Sequence, residues 1–341
     1  MFLFSKKKVP LYFLPITIIS TIVISYFIFH QNEIPVIENQ ISTPIAIQNE
    51  LNCNSTPSRL SGYNYIKPLL FLETTCESEK YNSIKNSLTN YLDEMKKAGN
   101  ISAASVYLKN LNNTDWIGYD QNEKHNPGSL LKVPELIAFL KMEEEKPGTL
   151  QKEIFYDKPL TASKQQTKFI SNSIELGKKY TIKELLRYMI SYSDNNATIL
   201  LNQNINVTIF KKVFTDIGLS APDWNAMDYP ISAREYTLFM RCLYNATYLT
   251  IPNSEYATEL LSTCDFTNGF SKGFPLKTKM AHKFGEARFG DEHELHESGI
   301  IYINNKAFVI TIMTRGKNFD KLPEIIQQSS AIIYQYISKI T

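Results

Sequence analysis

The order of the predicted helices and strands is the feature that most constrains the fold of this 341-residue chain. Hydrophobic spacing and turn residues predict a helix, two strands, many helices, three strands and a final helix. The predicted segments are Ser78–Lys97, Ala103–Leu111, Trp116–Tyr119, Leu130–Glu145, Ile182–Tyr192, Asn196–Gln203, Val207–Ile217, Ala233–Tyr244, Ser254–Cys264, Met280–Phe284, Gly299–Ile303, Ala307–Thr314 and Asp320–Ile337. This order favours an α+β fold, in which an antiparallel sheet is built from both chain ends and flanked by the N- and C-terminal helices. The helical middle would form a second lobe, with a site expected in the cleft between them.

An uncharged segment precedes this pattern. Residues 9–30 contain no Asp, Glu, Lys or Arg, and an apolar helix of about 20 residues crosses the hydrocarbon core of a membrane. The basic residues Lys6, Lys7 and Lys8 predict that residues 1–8 are cytoplasmic. The alternative is a cleaved signal peptide, but residues 25–30 contain no A-x-A-like site. We therefore expect a single transmembrane anchor, with the rest of the chain outside the cytoplasmic membrane.

Residues 31–77 are expected to be an extracytoplasmic tether. Segment 31–60 holds four charged residues and three prolines, and no helical or strand period persists there. The apolar stretch 63–72 is expected to dock onto the domain that follows. That domain, residues 78–341, is long enough to bury a sizeable core.

Four cysteines follow the anchor: Cys53, Cys76, Cys242 and Cys264. Four cysteines allow three pairings, and the sequence does not choose among them. A Cys53–Cys76 bond would pin the tether, whereas a Cys242–Cys264 bond would join two neighbouring helices. Four free thiols are the remaining alternative.

The charge balance excludes one class of partner. There are 36 Lys and Arg residues against 34 Asp and Glu, a net charge of +2. A protein that binds nucleic acid needs a basic surface to displace counterions from phosphates. We therefore expect no nucleic-acid partner, and the composition does not indicate an oligomeric state.

Ser129 and Lys132 form an S-x-x-K motif at the start of a predicted helix. Residues three apart share a helical face, so Lys132 is expected within hydrogen-bond reach of Ser129. A lysine desolvated among apolar neighbours can lose its proton and activate a serine hydroxyl. The backbone N–H groups at a helix start also point towards a developing oxyanion. Alone, the motif also fits an ordinary serine cap followed by a surface lysine.

Two further motifs fall at the edges of the expected cleft. Ser193-Asp194-Asn195 lies in a loop between two helices, where Ser193 could relay a proton and Asn195 could hold an amide. The same residues also fit a helix cap by Ser193 or Asp194. Lys283-Phe284-Gly285 lies on a predicted strand, where the lysine adds positive charge and Gly285 allows a substrate backbone to approach closely.

In this order and on these elements, the three motifs resemble the set S-x-x-K, S-D-N and K-T-G of the class A β-lactamase and penicillin-binding-protein superfamily. The likeness covers residues 78–341 and includes the order of the elements. It implies that Ser129 is the acylated nucleophile and that Lys132 is its activating base or part of its proton network. It also implies that Ser193 passes a proton to the leaving nitrogen, with electrostatic help from Lys283.

The resemblance also implies how a substrate is bound. Asn195 would bind a side-chain amide of the substrate. The backbone N–H groups of Ser129 and Glu286 would form the oxyanion hole, usually the largest single catalytic contribution. The expected ligand is a β-lactam or a peptidoglycan stem peptide.

The chain departs from the family pattern at two places. The K-T-G hydroxyl, which helps to bind the substrate carboxylate, is replaced by Phe284. Class A β-lactamases also use a loop glutamate to activate the deacylating water, yet no glutamate occurs between Glu184 and Glu235. The corresponding segment, residues 219–232, offers only Asp223 and Asp228. The sequence therefore supports the prediction of acylation more strongly than the prediction of rapid deacylation.

A metal site is the least favoured interpretation of the polar segment His293–His296. His293-Glu294-Leu295-His296 offers two histidines, but in a predicted loop and without a third ligand nearby. The pattern favours an exposed or cleft-lining polar loop, and no metal or other cofactor is expected.

The sequence thus predicts a membrane-anchored serine acyl hydrolase of the class A β-lactamase type, acylated at Ser129 and slow to deacylate. The missing glutamate favours one alternative, a peptidoglycan D,D-peptidase or penicillin-binding enzyme. A second alternative is a catalytically silent module that senses wall fragments or antibiotics. The complete set of Ser129, Lys132, Ser193 and Lys283 argues against silence, because a pure binder needs no activated hydroxyl.

Overall fold

The computed structural model describes residues 53–160, 168, 169, 171–224 and 229–340. Its helices are α1 Asn82–Lys97, α2 Lys132–Glu145, α3 Ile182–Ser191, α4 Asn195–Asn202, α5 Val207–Asp216, α6 Ala233–Asn245, α7 Ile251–Ser262, α8 Phe270–Gly273 and α9 Lys321–Ile340. Its strands are β1 Ser55–Arg59, β2 Leu69–Thr74, β3 Ala103–Asn110, β4 Trp116–Tyr119, β5 Lys124–His125, β6 Glu153–Phe155, β7 Lys179–Thr181, β8 Ile231–Ser232, β9 Lys279–Phe289, β10 Glu292–Ile303 and β11 Lys306–Gly316.

Five antiparallel strands form the main sheet in the order β4-β3-β11-β10-β9. Strands from the two ends of the chain meet where β3 pairs with β11, as the element order predicted. Strand β9 is an edge strand and therefore has one side free for other contacts.

Two hydrophobic clusters cover the sheet. One contains buried side chains of α1 and α9, such as Leu88 and Ile333, together with Ile310 of β11. The other contains buried side chains of the helices α2 to α7, including Phe139 of α2. In α1 the buried residues Ile84, Leu88 and Leu92 recur every four positions, so one face of the helix is apolar. The predicted α+β arrangement is confirmed.

Strand β10 is longer than predicted. It begins at Glu292, so His293–His296 is part of the strand and not a loop, and that prediction was wrong. Glu294, His296 and Glu297 are buried although they are polar. A strand is normally recognised because apolar and polar residues alternate along it. Buried polar residues break that alternation, so the sequence does not indicate a strand here.

The predicted tether contains a hairpin, β1 paired with β2, which a disulfide between Cys53 and Cys76 closes. Cys242 and Cys264 are free thiols, so the alternative bond between two helices was wrong. Part of the apolar stretch packs as expected, since Leu70 and Phe71 are buried in the larger cluster. Tyr65, in contrast, is 99% exposed.

Within the part of the chain that the structure describes, no helix combines the length and the apolar character needed to span a bilayer. The anchor predicted at residues 9–30 lies outside that part.

Candidate active site

A tight contact between β9 and the turn before α2 positions Ser129. Residues Gly128–Leu131 form a 3-10 turn, and α2 begins only at Lys132. A Cβ at Gly285 would lie 2.3 Å from the Pro127 carbonyl oxygen, and one at Gly128 would lie 2.0 Å from the Glu286 carbonyl oxygen. Gly128 also has a φ of +52°, which favours glycine. The absence of a side chain at Gly285 therefore makes room for the turn that carries Ser129.

Ser193 adopts a strained conformation between α3 and α4. Its φ is +55° and it is fully buried, an arrangement that costs on the order of 1–3 kcal/mol and occurs often at functional sites. Asp194 follows it as the N-cap of α4, where its side chain accepts a hydrogen bond from the Asn196 N–H. Of the two caps that the sequence allowed, Asp194 is the one formed.

Lys132 is directed at this turn. Its Nζ donates to the Ser193 carbonyl oxygen at 2.7 Å, the Ser193 Oγ at 3.2 Å and the Asn195 Oδ1 at 2.7 Å. An ammonium group has three donors, so all of them are used here. The expected Lys132–Ser129 hydrogen bond is therefore not formed, because the strained Ser193 turn offers Lys132 two acceptors.

Lys283 reaches the same hydroxyl from β9. Its Nζ donates to the Ser193 Oγ at 3.0 Å and to the Phe284 carbonyl oxygen at 2.9 Å. A serine hydroxyl accepts two hydrogen bonds and donates one. Since Lys132 and Lys283 fill both acceptor positions, the Ser193 hydroxyl keeps its hydrogen as a donor.

The two lysines are buried together, and this changes their pKa values. Burial lowers the pKa of Lys132, and the positive charge of Lys283 lowers it further. Burial also lowers the pKa of Lys283, to about 8. A buried amine gives up its proton more easily because the low dielectric disfavours its charged form. The site can therefore hold a neutral amine near neutral pH.

The residues predicted to bind substrate lie around these amines. Asn195 is half-buried, and because its Oδ1 accepts from Lys132, its NH₂ group remains as a donor. Glu286 is half-buried, and its Oε2 accepts from the Lys168 N–H at 3.3 Å. Burial raises the pKa of Glu286. The roles of Asn195, Gly285 and Glu286 in binding substrate stay predictions.

Phe284 is fully buried rather than exposed in a cleft. Its ring stacks on Phe266 with centroids 4.3 Å apart and meets Phe169 edge-on at 6.2 Å. The Lys283 Nζ lies 4.0 Å from the ring centroid, within cation–π distance. Phe284 therefore fills an aromatic cluster beside Lys283.

A buried polar network holds the segment just before Ser129. We call it the His296 network; its members are His125, Asn126, Glu294, His296 and Arg315. The Asn126 N–H donates to the Glu294 Oε2 at 3.1 Å, and the His296 Nε2 donates to the Asn126 carbonyl oxygen at 2.9 Å. Arg315 Nε donates to the Glu294 Oε1 at 2.9 Å. Strand β10 thus fixes the backbone three residues before Ser129.

His125, Glu294 and His296 also have the composition of a metal site. One ligand atom from each lies within 4.8 Å of the others, so the sequence interpretation that no third ligand is near was wrong. The hydrogen bonds, however, already use both His296 nitrogens, since its Nδ1 accepts from the Thr314 N–H. Arg315 places a positive charge on the Glu294 carboxylate. These bonds fit a neutral histidine in a hydrogen-bond network better than a metal ligand.

The loop after α5 was the expected place for a water-activating carboxylate. Asp223 is exposed there, and Asp228 lies outside the described residues. The sequence contains no glutamate between Glu184 and Glu235, so this segment cannot supply one.

Sequence reasoning missed Glu135. This residue lies on α2 three positions after Lys132 and is 7% exposed. From Val133 to Leu140 it is the only charged residue in a buried apolar run. A single glutamate in such a run is a signal that could have found it, because ionisable residues are seldom buried without a partner.

With this geometry established, the comparisons identify the class of protein. The sequence matches the profile of the β-lactamase enzyme family over residues 83–337. The chain belongs to this family and is an enzyme of the serine-hydrolase type, which confirms the resemblance seen in the motifs. No curated protein matches the chain in a sequence search.

Solved structures share its fold at low sequence identity. PBP-A is 20% identical with a TM-score of 0.60, and the match covers 74% of this chain and 97% of that one. A PBP-A variant in an acyl-enzyme complex with penicillin G is 20% identical with a TM-score of 0.61, covering 75% and 97%. A class A β-lactamase from Mycobacterium abscessus is 18% identical with a TM-score of 0.62, covering 73% and 99%. These similarities show that this chain has the same fold as those proteins.

Proposed function

We propose that this chain is a serine acyl hydrolase whose Ser129 is acylated by β-lactams or related acyl donors and whose deacylation is slow. Ser129 attacks the carbonyl carbon of the substrate, and Lys132 in its neutral form takes the serine proton. As the carbon–nitrogen bond of the substrate breaks, Ser193 donates its hydrogen to the leaving nitrogen and takes up the proton that Lys132 removed, with Lys283 beside it. The Ser129 and Glu286 N–H groups stabilise the oxyanion.

The observation that carries this proposal is the shared contact of Lys132 and Lys283 with the Ser193 hydroxyl, at 3.2 and 3.0 Å. Two buried amines on one hydroxyl are an expensive arrangement, because both charges are desolvated and repel each other. Buried amines whose pKa values are lowered, next to a serine, are typical of sites that move protons.

Intact-protein mass spectrometry after incubation with penicillins tests the proposal. We expect a mass increase equal to one penicillin on the wild type and none on Ser129→Ala. An adduct that survives Ser129→Ala would contradict the assignment of the nucleophile. Ser87→Ala is a suitable control, since Ser87 lies on α1 and its hydroxyl contacts Tyr336.

A peptidoglycan D,D-peptidase or penicillin-binding enzyme is the second candidate. The absence of a glutamate between Glu184 and Glu235 favours it, because rapid hydrolysis of a β-lactam-derived acyl-enzyme, which defines a β-lactamase, needs a positioned base. A peptide ending in D-Ala-D-Ala separates the two candidates: release of D-Ala supports the peptidase. A silent sensor would form no covalent adduct with either substrate.

The proposal extends to where the enzyme works. Residues 1–8 would be cytoplasmic, residues 9–30 would anchor the chain, and residues 31–77 would tether domain 78–341 outside the membrane. What supports this is the uncharged stretch of residues 9–30 after three lysines. Resistance of the full chain to alkaline extraction from membranes, lost when residues 1–30 are deleted, tests the anchor. Release of the intact full chain by alkali would contradict it.

A further inference from the structure

Glu135 lies one helical turn below Lys132, inside the protein. Residues three apart on a helix have Cβ atoms about 5–6 Å apart, and both side chains are buried, at 7% and 4% exposure. The Glu135 Oε2 has no hydrogen-bond partner among the residues that the structure describes. A buried carboxylate oxygen without such a partner is costly, so the charge of a neighbour must stabilise the group or it takes up a proton.

Lys132 is the charged neighbour that acts on Glu135. Helix α2 packs against α3, α5 and α7. The buried side chains described on those three helices are all uncharged. The Asn202 side chain at the end of α4 hydrogen-bonds the Glu135 carboxylate, and Lys132 is its charged counterpart.

We infer that Glu135 is a positioning residue that acts through Lys132: its buried carboxylate keeps the Lys132 amine protonated and so decides when Lys132 can take the proton of Ser129. This inference rests on the proposed function, because it concerns the activation of Ser129. Glu135 lies within the helical lobe and supplies charge to the amine, whereas the base for the deacylating water would have to lie in the cleft.

The charges around Lys132 give the direction of the effect. Burial and the charge of Lys283 lower the pKa of Lys132, whereas Glu135, Asp194 and Glu286 raise it. Burial raises the pKa of Glu135 in turn, and the positive charge of Lys132 opposes that rise. Removing the Glu135 charge removes one of the three groups that favour the ammonium form. Lys132 should then become neutral at lower pH.

Titration of Lys132 by NMR, in the full chain labelled with ¹³C at lysine Cε, tests the inference. The Lys132→Arg variant assigns the signal. In Glu135→Gln we expect the Lys132 midpoint to fall by about 1–3 pH units, the usual effect of one close opposite charge. Glu145→Gln, at the exposed end of the same helix, should titrate as the wild type. Equal midpoints in the wild type and Glu135→Gln would overturn the inference.

Two further variants separate charge from structure. Glu135→Met tests the same loss of charge if the glutamine variant does not fold, and Glu135→Asp should restore a midpoint close to that of the wild type. The acid limb of the acylation rate with a penicillin should move with the NMR midpoint. A purely structural role would lower stability and leave the midpoint unchanged. If the Lys132 midpoint shifts in Glu135→Gln but the wild-type chain forms no penicillin adduct, the proposed function is contradicted and the pairing of Glu135 with Lys132 is not.

Discussion

At the scale of single residues, Lys132 is the group on which the proposed acylation depends most. Its three hydrogen bonds go to Ser193 and Asn195, so it must lose a proton before it can act as a base. Lys132→Ala should slow acylation by about 10²–10⁴-fold, the usual contribution of a positioned base. The rate of adduct formation by quenched-flow mass spectrometry measures this. Lys141→Ala, on the same helix but paired with Glu144, is the matched control.

An unchanged acylation rate in Lys132→Ala would assign proton abstraction to another group. Lys283 is the obvious candidate, because it also contacts Ser193 and burial lowers its pKa to about 8.

Phe284 has a structural consequence that can be measured separately. The ring is fully buried between aromatic neighbours, so Phe284→Ala should lower the free energy of unfolding by about 3–5 kcal/mol. Phe289→Ala on the same strand should change it by less than about 1 kcal/mol, since that ring is 56% exposed. Denaturant titration compares the two, and equal losses would mean that the Phe284 cluster adds little stability.

At the scale of elements, the His296 network links β10 to the turn that carries Ser129. Burial lowers the pKa of His296 to about 3, whereas an unfolded histidine titrates near 6.5. Below about pH 6.5 the unfolded chain therefore binds a proton that the folded chain does not. Binding of this proton stabilises the unfolded state. The free energy of unfolding therefore falls as the pH falls towards 3, by up to about 1.4 kcal/mol per pH unit.

His296→Gln should flatten this dependence, because glutamine does not titrate. Denaturant titrations between pH 6.5 and 5 measure the slope before most carboxylates take up protons. His293→Gln, on the same strand but half-buried, is the matched control for the replacement of a histidine by glutamine. Equal slopes for His296→Gln and the wild type would show that His296 is not held neutral.

Most of the element order and the three motifs could be predicted from the sequence, whereas the buried polar residues could not. Apolar periodicity marked α1 and β11 because their inward residues are apolar. It missed the first half of β10, where Glu294 and His296 point inside and are paired with Asn126 and Arg315. It also missed Glu135, which lies in the buried run of α2, because apolar periodicity takes account of apolar residues only.

At the scale of the whole molecule, the disulfide closes the N-terminal hairpin, which packs on the domain through Leu70 and Phe71. The Cys53–Cys76 bond closes a loop with a sequence separation of 23 residues. Its loss should lower the free energy of unfolding by about 2–4 kcal/mol, mainly through the freedom gained by the unfolded chain. Thermal unfolding with and without reductant measures this. The double variant Cys53→Ser/Cys76→Ser should not respond to reductant; a response there would trace the effect to another source.

The absence of a loop glutamate is the reason why slow deacylation is expected. The sequence holds no glutamate between Glu184 and Glu235, and Asp223 is exposed. Without a positioned base, attack of water on the acyl-enzyme loses about 10²–10⁴-fold in rate. The proposed acylation step does not share this deficit, because Lys132, Ser193 and Lys283 are in contact. The chain should therefore accumulate as an acyl-enzyme.

Accumulation of the acyl-enzyme can be tested by following the hydrolysis of a chromogenic cephalosporin by the purified full chain from milliseconds to hours. We expect a burst of one product per Ser129, followed by slow turnover and an adduct that persists in mass spectra. Asp223→Asn should not change the slow phase. Steady turnover at many molecules per second without a burst would contradict the account, and loss of that turnover in Asp223→Asn would assign the water-activating role to Asp223.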